Sequence, residues 1–309
     1  MRMIVVDMDG TLVGSDGRVS ERNLMAMKAA EKAGVEVVVA TGRRHCYAMR
    51  VLRGLGLGEE GALISSNGTV TRTMGARLVE RTLLPTETAM WLCGHVEEFR
   101  DALVMTFDKV GADGEDERGA LVVERMDGLH ASIGRWMEAN EPYIARVTPL
   151  ERALEGEAPI QMMLCGTVER MRRAEARLLE HPGVLGVGVS AIATAGQAAG
   201  VGVALHRTEY AERDLSILDI LPAGCSKGAA LLRLAAARGV KAEEILAIGD
   251  NWNDISMLEV AGRAMLMGNA PEDLKAVAAE RGWGVGRRHD EDGVAEVIEG
   301  VLEGGRLRR

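Results

Sequence analysis

Aromatic residues are nearly missing from this chain: they make up 3% of 309 residues, so any core must be aliphatic, drawn from Val, Leu, Ile, Ala and Met. Cysteine is also scarce. Cys46, Cys93, Cys165 and Cys225 are scattered without a C-x-x-C pair, which argues against both a disulfide framework and a zinc site. Free buried thiols in a reducing cytosol are the expectation, and with it a cytoplasmic location. Positive charge is short as well: the formal net charge of −9 disfavours broad binding to nucleic acid or to an anionic membrane. The six histidines show no ligand spacing, so no histidine metal site is expected, and His45 is assigned a structural or surface role. The apolar run in "MRMIVV" is too short for a signal peptide, and none is expected. Gly183 to Leu205 carries no charge and is long enough to span a bilayer. Its Gly and Ala content makes it only weakly hydrophobic, so two short strands around a Gly-Gln-Ala turn are expected there instead of a membrane span.

What remains is ordinary globular composition, 47% hydrophobic and 27% charged, in a chain long enough for about two domains. The first third alternates. A short apolar strand, Met3 to Val6, precedes a helix over Ser20 to Lys32 with Ser20 as N-cap and Gly34 as terminator. Met25 and Met27 are read as core residues of that helix. A second strand in "VEVVVATGR", a helix from about His45 to Leu52, and a third strand in "GALISSNGTV" follow. This rhythm predicts a Rossmann-like α/β fold, a parallel sheet with helices on both faces, whose ligands bind at the carboxyl ends of the strands. From Pro85 to Leu221 the pattern changes to mixed helices and short strands, an inserted α+β unit. The polar loop "DKVGADGEDERG" within it lacks calcium-loop spacing and is expected to be solvated. After Pro222 the α/β rhythm resumes. Two domains are therefore expected: residues 1–84 with 222–309, and residues 85–221.

Chemistry-bearing residues gather at the predicted strand ends and helix starts of the α/β part: Asp7 and Asp9, Thr41, Lys227, and "GDNWND" from Gly249 to Asp254. Each alone is weak. A threonine before glycine is common in turns, and a lysine opening a helix is usually solvated. The pair Asp7/Asp9 raises a sharper question, because two carboxylates at one strand exit repel each other. Residues two apart in a strand project to the same side, so the two are expected to face one ligand.

Taken in order, D-x-D-G-T, T-G-R, S-K-G and G-D-x-x-N-D resemble the haloacid dehalogenase-like phosphohydrolase superfamily, over nearly the whole chain. "SNG" (Ser66 to Gly68), "MGNAPEDLK" (Met267 to Lys275) and the position of the insertion resemble its Cof-like branch, which has a type IIB α/β cap. The resemblance implies a cytoplasmic, Mg²⁺-dependent phosphatase acting on small phosphorylated metabolites, sugar phosphates first among them. It implies Asp7 as nucleophile and Asp9 as general acid and base. Asp7, Asp9 (through its backbone carbonyl), Asp250 and Asp254 would form the metal site. Thr41 and Lys227 would join the two aspartates as catalytic residues, and Thr41, Gly42, Arg43, Lys227, Asn253 and Asn67 would hold phosphate or substrate. The α/β core would be catalytic and the cap would set specificity. A phosphomutase of the same superfamily, or a non-catalytic binding protein, is the alternative, and either a monomer or a homodimer fits.

Overall fold

The computed structural model describes residues 1–111, 114–187 and 202–304. It divides into two compact units: Met1–Glu80 together with the chain from Ser226 onward, and Arg81–Cys225 between them.

The first unit is built on a sheet of eight strands among the described residues. Their order is Gly284–Val285, Arg263–Leu266, Ile245–Gly249, Met3–Asp7, Glu36–Ala40, Ala62–Ser65, Val70–Thr73 and Leu78–Arg81. The first six run parallel, and Val70–Thr73 turns back antiparallel on Ala62–Ser65. The run Met3–Val6 is apolar throughout because both sheet faces are covered. Ile4 and Val6 pack on one side with Ala26, Met27 and Ala30 of the helix Glu21–Lys32 and with Ile298 of Gly293–Leu302. Met3 and Val5 pack on the other side with Leu231 of Lys227–Ala237 and Leu274 of Glu272–Arg281. Each such side chain removed from water contributes roughly 1.5–3 kcal/mol.

The chain leaves Met3–Asp7 toward Glu36–Ala40 on one side and returns at Ile245–Gly249 on the other. The strand order therefore reverses between these two neighbours, and that crevice at their carboxyl ends is where open α/β sheets bind ligands. Asp7 ends one strand and Asp250 follows the other.

Two expectations in this unit are corrected. Met25 is 62% exposed; the buried face of its helix is instead Asn23, Ala26, Met27 and Ala30. Asn23 is tolerated there because its Oδ1 accepts the Ala295 N–H at 2.9 Å, satisfying an otherwise orphaned donor in the first turn of Gly293–Leu302. Thr41, in turn, does not open a helix: the helix spans His45–Leu52 with Arg44 as N-cap.

The second unit carries a sheet ordered Val184–Leu185, Val203–Tyr210, Leu215–Pro222, Gln161–Gly166, Leu103–Thr106, Leu121–Val123 and Ile144–Arg146, mostly antiparallel. The helices Thr86–His95 and Val168–Leu179 bury Leu92, Cys93, Met171 and Leu178 against Met105, Met162 and Leu164 on one sheet face. This is the mixed α+β character read from the sequence. Of the two strands expected within Gly183–Leu205, Val184–Leu185 and the start of Val203–Tyr210 are strands, but they pair in parallel. The turn expected between them lies outside the described residues. Among the described residues no helix is long and apolar enough to cross a membrane. All four cysteines are buried, and none of them is in a disulfide.

Candidate active site

Lys227 is the pivot. It is the first residue of the helix Lys227–Ala237, whose N-cap Ser226 accepts the Ala229 N–H at 3.0 Å. Gly228 lets this helix start press against the chain beyond Asp254: a Cβ there would collide with the Ser256 backbone, and the Gly228 N–H donates to Ser256 Oγ at 3.1 Å. The lysine side chain is thereby drawn inward to 0% exposure, unlike an ordinary helix-opening lysine. Its Nζ donates to Asp7 Oδ1 at 2.5 Å and to Asp254 Oδ1 at 2.7 Å.

Asp7, Asp250 and Asp254 are all buried, and each places one carboxylate oxygen within 4.8 Å of the others. Asp250 is held by Thr11, whose Oγ1 donates at 2.9 Å, and by Asn269 Nδ2 at 3.3 Å. Asn269 Nδ2 also donates to the Gly10 carbonyl at 2.8 Å, tying the two loops together. Gly10 has φ of +84°, and a Cβ there would collide with the Asp250 carboxylate, so only glycine serves in this turn. Asp254 Oδ2 accepts the backbone N–H groups of Asp250 and Asn251 at 2.9 and 3.0 Å. Asp254 therefore fixes its own loop while balancing Lys227.

The electrostatics are lopsided. Burial, then the charge of Asp254, push the Asp7 carboxyl up to about 7 against the opposing pull of Lys227. Burial and the charges of Asp7 and Asp254 raise Asp250 well above its ordinary range. Burial works against the Lys227 ammonium too, but Asp254 and Asp7 outweigh it and hold it above its ordinary value. Three buried carboxylates share one buried ammonium. The deficit is one of positive charge, and the donor set is all carboxylate oxygen, so the residues fit a hard divalent cation such as Mg²⁺.

The remaining sequence candidates fall into two groups. Asp9 lies beyond the end of the strand at Asp7, so strand alternation does not govern it. Its carboxylate turns to Arg43 instead, whose Nε and Nη2 donate to both oxygens at 2.7 and 2.5 Å, and the Arg43 guanidinium lies 4.8 Å from the Tyr47 ring centroid. Thr41 is buried at the exit of Glu36–Ala40, where its Oγ1 accepts the Arg43 N–H at 3.1 Å. Asn67 is buried with φ of +52°; its N–H donates to the Thr41 carbonyl at 3.0 Å and its Oδ1 accepts from Asn253 Nδ2 at 3.2 Å. A Cβ on Gly42 would lie 3.2 Å from the Asn67 side chain, so Asn67 packs against the Thr41–Gly42 turn and links it to the Asn253 loop. His45 is buried.

Sequence reasoning assigned no role to Thr11 and Asn269. Both stood inside quoted motifs, D-x-D-G-T and "MGNAPEDLK", and a threonine or asparagine in a short polar segment is indistinguishable from a turn residue until its partner is known.

Asp254→Asn tests the loop clamp. It leaves an amide where two backbone N–H groups and an ammonium need acceptors. We expect the unfolding free energy to drop by about 1–3 kcal/mol in urea titrations and divalent-ion affinity to fall roughly 10–100-fold by calorimetry.

Comparison with known proteins places this geometry in context. A family model described as haloacid dehalogenase-like hydrolase matches residues 4–298. The phosphatase YwpJ of Bacillus subtilis is 30% identical over 98% of this chain and 100% of its own length. The 5-amino-6-(5-phospho-D-ribitylamino)uracil phosphatase YwtE of the same organism is 29% identical over 98% and 99%. Among solved structures, the subclass IIB sugar phosphatase BT4131 shares the fold with a TM-score of 0.71 at 21% identity, covering 98% of this chain and 99% of that one.

Proposed function

The chain belongs to the haloacid dehalogenase-like hydrolases, as a Cof-type phosphatase of small phosphorylated metabolites, and on that premise we propose that it hydrolyses sugar phosphates with Mg²⁺ through an aspartyl-phosphate on Asp7. The observation that carries this reading is the convergence of Asp7, Lys227, Asp250 and Asp254 at the reversal of strand order. A nucleophilic carboxylate must be ionised, buried and within reach of an anion it would otherwise repel. Lys227 meets part of that demand. Asp7, Asp250 and the Asp9 carbonyl would hold Mg²⁺, which when bound supplies the missing positive charge and polarises a phosphoryl oxygen.

Asp7 attacks phosphorus in line with the departing ester oxygen, forming the O–P bond as the alkoxide leaves. Asp9 protonates that alkoxide and then takes a proton from the water that cleaves the acyl phosphate. Both Asp9 oxygens are engaged by Arg43, so proton transfer by this carboxyl requires the guanidinium to move away first, toward the phosphate. The Thr41 hydroxyl, the amide of Gly42 and the Asn253 amide donate to the phosphoryl oxygens, each typically contributing about 2.7–4 kcal/mol to transition-state stabilisation. Asn67 orients Asn253. The core unit performs the chemistry and the Arg81–Cys225 unit selects the leaving group. Release of inorganic phosphate from a panel of sugar phosphates, nucleotides and cofactor phosphates tests this. Hydrolysis across the sugar phosphates is expected, whereas isomerised sugar phosphate without free phosphate contradicts it.

The charge deficit predicts a pH signature. Because the folded pKa of Asp7 is raised from 3.8 to about 7, its contribution to stability is complete below 3.8 and is lost as pH rises through 7. Lys227, raised from 10.5, contributes no change in that window. In EDTA the melting temperature is expected to fall between pH 5 and 8 by several degrees, and added Mg²⁺ to restore it most at pH 8. Differential scanning fluorimetry across that range measures both.

A further inference from the structure

We propose that Ser256 is a positioning residue for Lys227: its hydroxyl holds the first turn of the helix Lys227–Ala237 against the segment that carries Asp254, an inference that rests on the phosphatase reading above. The first turn of a helix leaves backbone N–H groups with no partner inside the helix. Ser226, the N-cap, meets one of them by accepting the Ala229 N–H at 3.0 Å. The neighbouring Gly228 N–H is met from outside the helix, by Ser256 Oγ at 3.1 Å. Ser256 belongs to another helix, Ile255–Val260, and follows Asp254 by two residues. The tie therefore joins the residue after Lys227 to a residue just beyond Asp254, alongside the 2.7 Å hydrogen bond from Lys227 Nζ to Asp254 Oδ1.

Backbone contacts bracket the same turn. A Cβ on Gly228 would collide with the Ser256 carbonyl, and a Cβ on Gly68, where φ is +96°, would collide with the Ser226 carbonyl and lie 3.0 Å from the Lys227 nitrogen. Lys227 thus stands between two residues whose backbones are pressed against other segments of the first unit. Van der Waals contact limits how near those segments come, but it has no direction. The Ser256 hydroxyl adds the directional bond. Such a bond matters more here than at an ordinary helix start. The Lys227 ammonium, on a long flexible stem, must meet Asp7 Oδ1 at 2.5 Å and Asp254 Oδ1 at 2.7 Å at once. A catalytic group displaced by about 1 Å can cost on the order of 10²-fold in rate. Loss of the Ser256 bond should therefore appear in turnover and not in stability alone.

The test is a double-mutant cycle on kcat for p-nitrophenyl phosphate with Mg²⁺, using wild type, Ser256→Ala, Lys227→Met and the double variant. Ser256→Ala is expected to lower kcat roughly five- to tenfold, the effect of one neutral hydrogen bond, with KM within about twofold of wild type. Ser256→Thr, which keeps the hydroxyl, should restore most of that loss. In the Lys227→Met background, Ser256→Ala should change kcat by less than about twofold, because the group it positions is already gone. Thermal melts identify folded protein, and if the double variant does not fold, the comparison of Ser256→Ala with Ser256→Thr decides. A folded Ser256→Ala protein with kcat within about twofold of wild type overturns the proposal. An equal loss in both backgrounds also overturns it, since that is what a general loosening of the fold gives. Wild-type protein inert toward p-nitrophenyl phosphate instead removes the phosphatase reading, and this inference with it.

Discussion

Asp7→Asn is expected to lower kcat at least about 10⁴-fold while leaving a folded protein, because loss of a nucleophile is not compensated by the groups around it. Position and burial both enter that figure. Asp7 terminates a strand whose every residue is buried, so the substitution barely alters packing. The amide keeps the shape but cannot form an acyl phosphate. It also removes one of three carboxylates crowding Lys227, so stability in EDTA should be equal to wild type or higher above pH 7, where the Asp7 charge is a burden. Activity and stability therefore move in opposite directions. Asp9→Asn separates the roles further: it should slow both formation and hydrolysis of the intermediate, by about 10²–10⁴-fold. Steady-state release of p-nitrophenol, with urea denaturation of the same preparations, measures both. An Asp7→Asn protein that retains most of its turnover contradicts the assignment of the nucleophile.

Lys227→Met carries the second large effect, and here activity and stability fall together. Methionine matches the volume and the apolar stem, so the loss is one of charge. Asp7 and Asp254 lose their common partner and are left buried with Asp250. Removing one member of a buried ion pair typically costs 3–5 kcal/mol. That cost is expected in full at pH 8 in EDTA and should shrink at pH 5, where protonated carboxylates no longer repel. Mg²⁺ should recover part of it. The loss of one stabilising contact to the phosphoryl group should lower kcat about 10²–10³-fold even at saturating metal. Urea midpoints at pH 5 and pH 8, each with and without Mg²⁺, test the electrostatic part. A variant as stable as wild type at pH 8 in EDTA contradicts the view that the cluster is charge-frustrated.

How much of this was legible beforehand depended on whether a residue's role is local. The strands Met3–Asp7, Glu36–Ala40 and Ile245–Gly249 announce themselves as β-branched runs, and their order fixes where a ligand must bind. The residues at their ends were therefore identifiable from the sequence. What pairs with what was not. Lys227 by itself reads as a solvated helix lysine; its burial depends on Gly228 admitting a distant loop. Thr11 and Asn269 look like turn residues until Asp250 is seen between them, 239 and 19 residues away in the chain. Arg43 was expected near substrate, but its grip on Asp9 requires the chain to leave strand geometry after Asp7. Met25 misled because helix spacing alone does not say which of two methionines two positions apart faces inward. A polar pairing on the second unit's sheet was invisible for a related reason. Gln161 and Asp219 lie in two separate short strands, and only strand register puts them side by side.

On the proposed mechanism the acidic cluster becomes a phosphoryl site only when a divalent cation offsets it. The most direct measurement is phosphate release from p-nitrophenyl phosphate at pH 7.5 by wild-type protein stripped with EDTA and then titrated with Mg²⁺. Turnover should be negligible in the stripped protein and rise saturably with Mg²⁺. Undiminished turnover in excess EDTA contradicts it.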